Sequence, residues 1–537
     1  MTSGERILAT GARLSASLLW RLQRTFFERQ GPEAWSAGTV PSYITSNPWI
    51  ANAYAQVVLG WLRDCSGPTL RESVSFAPLD LRYPVHIVEL GCGSGRFGYL
   101  FLSRLLDLLA RSPLRPVPIR YVLTDFTASN LNALRRHPTL QPFVQEGVLD
   151  FACFDAETDA QIHSLSSGEV LDCRTLRNPL VVIANYVFDG IPQDAFAVRG
   201  GCLFEALPTI TAPPDAAEPD DPALLAQVHM DWQEQPAADE PYGDADLDGI
   251  LREYTQRLDN VSFLFPSAGL RCVRNLARLS DGRLLLLSAD KGHCREGMLA
   301  DSLGLAVHGS FSMMVNYHAL GRWFERQGGA FLTTSHLHTS LTIVALLLGT
   351  PPAGTLETRL AFNEAIDRLG PDDFFDLKTS LEIPPEGMSP ELLLARIRLT
   401  GWDASLFFSS FGDLVHCAGT ASELLRHEIY RMVREVWKAH FPIREERDLA
   451  FHLGVLLCEI QCYEAALIFF QESTAAYGPN PATAFNIALC RFHLGDLEAA
   501  RTFVDQALEG APDYAPAAAL REEIATAIAS DGGGALR

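Results

Sequence analysis

The chain has no Cys-x-x-Cys pair, no apolar run of the ~18 residues that a membrane-spanning helix needs, and far fewer basic residues than acidic ones. Each absence excludes something. The eleven cysteines, at 65, 92, 153, 173, 202, 272, 294, 417, 458, 462 and 490, offer neither a zinc ribbon nor a thioredoxin motif. Cys458 and Cys462 are spaced i, i+4 on a helical stretch and could meet as ligands. Buried free thiols are the commoner use of such cysteines. The scattered, odd count predicts a reduced, intracellular chain, and cytoplasmic location is the expectation. The longest apolar run, near 341–348, is too short for a bilayer. Lys and Arg total 43 against 65 Asp and Glu, a net charge of −22. No nucleic-acid or membrane partner is therefore expected, since both need a basic surface.

The acidity is local. Residues 212–250 hold eleven acids and no Lys or Arg, and 211–248 hold six prolines. That composition predicts a mobile loop. It reads either as a solvated segment or as an acidic arm that attracts a basic protein segment. Ahead of Phe27 stand four arginines and one acid, Glu5. This has the flavour of a transit peptide, but an amphipathic helix through 20–27 is the plainer reading.

At roughly 150 residues per domain, 537 residues allow three or four domains. The pattern predicts fewer. Val85–Leu90 is a short buried strand, followed by a glycine-rich turn and a helical stretch at 97–110. Further strands are expected at 121–124, 149–154, 180–184 and 283–288, and a hairpin at 330–334 and 340–348. Strands alternating with helices predict a parallel sheet, to which the hairpin adds one antiparallel strand. About a hundred residues separate the fourth and fifth strands, so an insertion lies near 195–280. From 355 to 447 the pattern is helical, broken at Gly370-Pro371 and Pro384-Pro385. Phe451 and Phe485 are 34 residues apart, and Tyr463-Glu464-Ala465-Ala466 superposes on Leu497-Glu498-Ala499-Ala500 at the same offset. Gly454 matches Ala488, both small. That period is the tetratricopeptide signature. The expected divisions are 1–84, 85–350, a helical linker 351–447, and repeats with a capping helix at 448–530.

The strongest chemical signal is Glu89-Leu90-Gly91-Cys92-Gly93-Ser94-Gly95, directly after a strand and opening a helix. Three alternating glycines let a ligand lie against bare backbone. A P-loop would need Gly-Lys-Ser/Thr, but the loop runs Gly95-Arg96-Phe97. A dinucleotide fingerprint would need glycine where Arg96 stands. The pattern is that of an S-adenosylmethionine (SAM) loop. Glu89 could face the ligand's ammonium or sulfonium. Asp125, ending the second strand, suits the ribose hydroxyls; an Asp there also suits a helix cap. The strand-end position favours the ribose. Asp155, after the third strand, could accept from the adenine amine or serve as an ordinary capping acid.

These motifs resemble the MidA-like SAM-dependent methyltransferases, a family that includes a mitochondrial assembly factor for respiratory complex I. The resemblance runs from about 43 to 349. Pro41-Ser42-Tyr43-Ile44-Thr45-Ser46-Asn47-Pro48 is similar to the family's Phe/Tyr-x-Thr segment. Ala184-Asn185-Tyr186-Val187-Phe188-Asp189-Gly190-Ile191-Pro192 is similar to its Asn-Glu-Phe-Phe-Asp-Ala-Leu-Pro block. Asp290-Lys291-Gly292-His293 resembles its Asp-Tyr-Gly block, and Val315-Asn316-Tyr317-His318-Ala319-Leu320 its Val-Asp-Phe-x-x-Leu helix start. The resemblance implies an α/β chain: a Rossmann-like, seven-stranded SAM-dependent methyltransferase sheet with an insertion, then an all-α tetratricopeptide-like C-terminal domain. It implies SAM held by Glu89, Gly91, Gly93, Gly95, Asp125, Asp155, Asn185 and Thr45, with Asp189 and Tyr186 on the catalytic side and no metal.

The member best known as an enzyme methylates arginine in a protein partner. Here the family's Glu and Asp are replaced by Tyr186 and Asn316. Arginine thus loses two of the carboxylates that would orient a guanidinium. His293 becomes a candidate general base, since imidazole titrates near neutrality, although an uninvolved loop histidine is the favoured reading. Two functions follow. One is a methyltransferase acting on a protein side chain, arginine included, or on another acceptor, with the repeats recruiting a protein partner. The other is a catalytically idle SAM-binding assembly protein.

Overall fold

The computed structural model describes residues 5–36, 39–40, 43–67, 78–300, 303–308, 310–336, 341–349, 354–368, 370–381, 388–443 and 445–533. Pro41, Ser42 and the Pro384-Pro385 break lie outside them. The chain divides into two compact units, 1–375 and 376–537.

The first unit is built on a nine-stranded sheet. In spatial order its strands are β15 (Ala330–Thr333), β16 (Thr342–Leu348), β12 (Leu284–Asp290), β7 (Leu180–Asn185), β2 (Val85–Leu90), β3 (Ile119–Asp125), β4 (Leu149–Cys153), β5 (Ile162–Ser164) and β6 (Val170–Leu171). β12, β7, β2, β3 and β4 run parallel, with Val88 paired to both Val122 and Val182. β16 runs antiparallel to β12 and pairs with β15 as a hairpin. Every residue of β2, β12 and β16 is buried. A parallel sheet covered on both faces needs such unbroken apolar runs. All seven expected strands are present. The two extra ones, three and two residues long, are too short to show a period of their own.

The insertion differs from expectation. In place of a mobile loop it supplies most of a second sheet, with strands ordered β1 (Arg6–Ala9), β9 (Cys202–Ala212), β8 (Asp194–Arg199), β11 (Val261–Phe265), and β10 (His229–Pro236) pairing β9. All its pairings are antiparallel. Gly200 and Gly201, with φ of 54° and 73°, close the β8–β9 hairpin in the left-handed conformation that such two-residue turns require. The prolines and acids are punctuation between elements. Pro222 opens a 3-10 turn, Pro236 ends β10, and Asp244 caps the helix Ala245–Arg257 by accepting from the Asp246 and Leu247 amides. A short β13–β14 ribbon (Leu305–His308, Ser310–Met313) completes the strands.

Helix α1 (Leu18–Gln30) packs on this second sheet. Leu19, Trp20 and Leu22 share a core with Ala195, Ala206, Ile210, Leu264, Phe311 and Met313. The stretch around Trp20–Phe27 is thus a folded helix. Helix α2 (Pro48–Ser66) is capped by Asn47, which accepts from Trp49 and Ile50. Asp64 at its far end accepts from the Glu357 and Thr358 amides and from the Thr358 hydroxyl. Gly60 lets the backbone of 357 approach, since a Cβ there would lie 2.7 Å from the Glu357 carbonyl. Residues 356–368 therefore pack with the first unit, and Trp49 stacks on Phe374. The expected linker 351–447 is split, because its first helix fills a groove on α2.

In the second unit, helices Leu449–Glu459, Tyr463–Tyr477, Pro481–His493, Leu497–Gly510 and Ala515–Gly533 follow one another. Gly454 lies against Phe470, where a Cβ would come within 2.7 Å, and Ala488 is fully buried at the matching place in the next helix pair. The core continues into helices Pro390–Leu399, Ala404–Ala418 and Glu423–Lys438 through Leu393, Phe407, Met432 and Leu453.

Candidate functional site

The order of the parallel strands reverses at β2. β3 and β4 lie on one side of it, β7 and β12 on the other. The loops leaving β2 and β7 therefore diverge and leave a crevice at the carboxyl ends of the strands. A cavity lies there. Gly91 follows β2, Asp125 ends β3, Asp155 follows β4, Tyr186 and Asp189 follow β7, and Lys291 follows β12; all line it.

The glycine loop is held by conformation as well as by space. Gly91, Gly93 and Gly95 have φ of 57°, 52° and 76°, a region closed to most side chains. Gly95 is the residue that opens the helix Arg96–Ala110. A Cβ on Gly93 would also stand 3.1 Å from the Trp35 ring. Asn130 donates to the Gly93 carbonyl at 2.8 Å and to Asp125 Oδ2 at 2.9 Å, tying the loop to the end of β3.

Asp125 is 4% exposed. Its Oδ1 accepts from the Thr127 amide and hydroxyl. Oδ2 receives Asn130, and the residue lines the cavity, so a carboxylate is on hand there for a ligand hydroxyl. Burial raises its pKa, and the hydrogen bonds to the carboxylate oppose that. The cap position of the helix Ala128–Leu134 is Thr127, whose side chain makes no capping bond. Asp155 also lines the cavity, but Arg24 of α1 already reaches it at 2.9 Å. Arg24 further contacts Glu157 at 3.2 Å and lies 4.7 Å over the Phe126 ring.

Glu89 is placed otherwise than expected. It does not line the cavity. Its carboxyl is buried beside Gly98 and receives the Tyr121 hydroxyl at 2.7 Å. Burial pushes it up to about 8. A ligand cation is thus not its partner in this arrangement. Thr45 is buried in a 3-10 turn just ahead of α2 and is not at the cavity wall. Asn185 accepts from the Tyr54 hydroxyl at 2.9 Å, and its Nδ2 is buried without a partner among the described residues, just before Tyr186.

Tyr186 has φ of 51°. A bulky residue there is strained, and such strain persists only where the surroundings impose it. Its amide donates to the Ala289 carbonyl, which binds the loop after β7 to β12. Asp189 and Asp290 form a buried carboxyl pair, and the Asp189 amide donates to Asp290 Oδ2 at 3.0 Å. Burial raises both, and their mutual repulsion raises Asp290 further. Lys291 draws Asp189 back down.

His293 is not brought to the cavity. Its amide donates to the Val315 carbonyl, its ring is half-buried, and burial lowers its pKa. The position expected of a general base at this cavity is thus not taken by His293. Asn316 is also off the cavity. It caps the helix Tyr317–Arg326 by accepting from Ala319 and donates to the Leu264 carbonyl. It adds no group to the cavity wall.

Sequence reasoning missed Gln23, Arg24 and Trp35, which reach the site from the N-terminal helix and the turn after it. Nothing in their spacing signals this. Asp290 and Lys291 stood in a recognised block, but only the β7–β12 pairing sets them beside Asp189. Among the described residues no cluster of ligating side chains could hold a metal, and no helix is long and apolar enough to cross a membrane.

The sequence matches no family profile, and no curated protein matches it. Among solved structures, an uncharacterized protein from Burkholderia thailandensis is 13% identical, spans 64% of this chain and 88% of its own, and superposes with a TM-score of 0.37. A second protein from that organism, thought to be a methyl transferase and bound to S-adenosyl-homocysteine, is 14% identical over the same shares with a TM-score of 0.38.

Proposed function

We propose that the chain is a SAM-dependent methyltransferase, with its C-terminal helices recruiting a protein partner or substrate in the manner of tetratricopeptide repeats. One observation carries this: Gly91, Asp125, Asp155, Tyr186 and Asp189, expected at the site from the sequence, line one cavity at the point where the strand order reverses. The residues fit the cofactor. The backbone at Gly91 is bare, Asp125 brings a carboxylate to the wall for a ribose hydroxyl, and Asp155 stands where an adenine amine could be accepted once Arg24 yields.

Bound SAM supplies an electrophilic methyl carbon, whose bond to sulfur breaks as the acceptor's lone pair forms the new bond. The chain's part is alignment in a dry site. The buried Asp189–Asp290 pair, both carboxyls raised by burial, can take a proton from the acceptor. Tyr186 stands where the family has a carboxylate, so it shapes the acceptor end. The acceptor is a protein side chain, arginine among the candidates, or another nucleophile. The idle-scaffold reading loses one of its two supports, since Asn316 is a helix cap.

Calorimetry with SAM and with S-adenosylhomocysteine (SAH), followed by mass spectrometry of lysate proteins, tests this. Binding of both with new methyl marks is expected. Binding without any turnover favours the idle scaffold, and no binding ends the proposal.

A further inference from the structure

The Gln23 side chain lines the cavity and carries a polar atom that has no partner among the described residues. The side chain is 4% exposed and lines the cavity. Its Nε2 donates to the Phe311 carbonyl at 2.9 Å and lies 3.4 Å from the Ser310 hydroxyl. A carbonyl can only accept, so this contact fixes which end of the amide is nitrogen. Oε1 is then an acceptor, buried and without a partner among the described residues. A buried acceptor left unmade forfeits its hydration, so such a group points to a donor supplied from elsewhere.

The surroundings say which end of the cavity this is. A Cβ on Gly190 would lie 3.4 Å from Gln23 Nε2. Ser312 bonds to Asp189 on the strand that also carries Ser310 and Phe311, and the Met313 amide donates to the Asp189 carbonyl at 3.3 Å. Gln23 therefore belongs to the Asp189 side of the cavity and not to the Asp125 side.

We propose that Gln23 is a specificity-determining residue: its Oε1 accepts a hydrogen bond from an N–H or O–H group of the methyl acceptor and so selects a donor-bearing nucleophile. This rests on the methyltransferase reading. The neighbouring Asp189–Asp290 carboxyl pair favours a donor that is also cationic. With Nε2 anchored on Phe311, the amide cannot rotate to offer a donor instead. An acceptor group without N–H or O–H would leave both Oε1 and the pair unanswered.

The probe is sinefungin, in which an amine-bearing carbon replaces the methylated sulfur of SAM, compared with SAH, which has no donor there. Calorimetry on the full chain is expected to show sinefungin binding about tenfold tighter than SAH, the scale of one charge-assisted hydrogen bond. Gln23→Met should erase that preference. Gln23→Glu keeps an oxygen acceptor but loses the donor to Phe311, so it should retain the preference. A role confined to anchoring Phe311 would instead damage both variants alike, and that result overturns the proposal. Equal affinity of the wild-type chain for the two ligands also overturns it, and needs no variant to fold. If neither ligand binds the wild-type chain, the methyltransferase reading itself fails, which is a distinct outcome from SAH binding without the preference.

Discussion

Glu89 stands within the glycine motif and yet turns its carboxyl beneath it, against Tyr121 and Gly98. Its folded pKa, near 8, lies above the ordinary 4.5 because burial penalises the charge. A raised carboxyl contributes stability in full below about 4.5 and loses it as pH rises through about 8. Glu89→Gln has no proton to lose and keeps an acceptor for Tyr121. The variant should therefore gain on the wild type as pH rises from about 5 to about 9. The gain should reach a few kcal/mol, since a tenfold difference in proton affinity between folded and unfolded chains is worth about 1.4 kcal/mol. Urea unfolding across that range reads the difference directly, and parallel curves would contradict it. Gly93 behaves differently. A side chain there meets both a positive φ and Trp35. Gly93→Val should lose SAH binding in calorimetry while costing about 1–2 kcal/mol of backbone strain. Asp125→Ala should weaken SAH by no more than a few kcal/mol, since one charge-assisted group is lost. It should also lower the melting temperature, because Thr127 and Asn130 lose their acceptor.

Among elements, the acidic stretch is the most altered by folding. Seven of its eleven carboxylates have partners: Asp220 with Arg21, Asp221 with Arg29, Glu234 with Arg199, Glu240 with Arg252, Asp244 with Arg274, Asp246 with the Trp323 indole, and Asp248 with two backbone amides. The surface pairs among these contribute little. Asp248 is the exception, being 3% exposed and accepting from the Tyr242 and Asp244 amides at 2.9 and 2.8 Å. Asp248→Ala should cost about 3 kcal/mol in urea unfolding, and exposed Asp239→Asn close to none. An acidic arm reaching for a basic partner has only the remaining carboxylates to offer. The strands of the main sheet were legible because burial on both faces writes itself as an unbroken apolar run. The second sheet was not, because β1 and β10 hold no buried residue to form an apolar run, and its turns carry prolines that also mark disorder.

For the whole molecule, the division at 375 sets the scale of independence. Every residue lining the cavity lies before it. A fragment ending at 375 should therefore bind SAH with the affinity of the full chain by calorimetry. A fragment ending at 350 should not fold as well, since Glu357 and Thr358 are the donors that Asp64 accepts from. A melt followed by circular dichroism separates the two.

By itself the sequence determined the parallel strands, the glycine loop, the acid at the end of β3 and the 34-residue offset of the helices. Each of these is local: a run of apolar residues, a spacing, a turn that only glycine can make. Tertiary structure decided which of those residues share a cavity. It turned Glu89 away, left His293 and Asn316 outside, paired Asp189 with Asp290 across two strands, and brought Gln23, Arg24 and Trp35 over the site from the start of the chain. The reason is that β pairing and helix docking join residues more than a hundred positions apart, and no local pattern in the sequence records those distances.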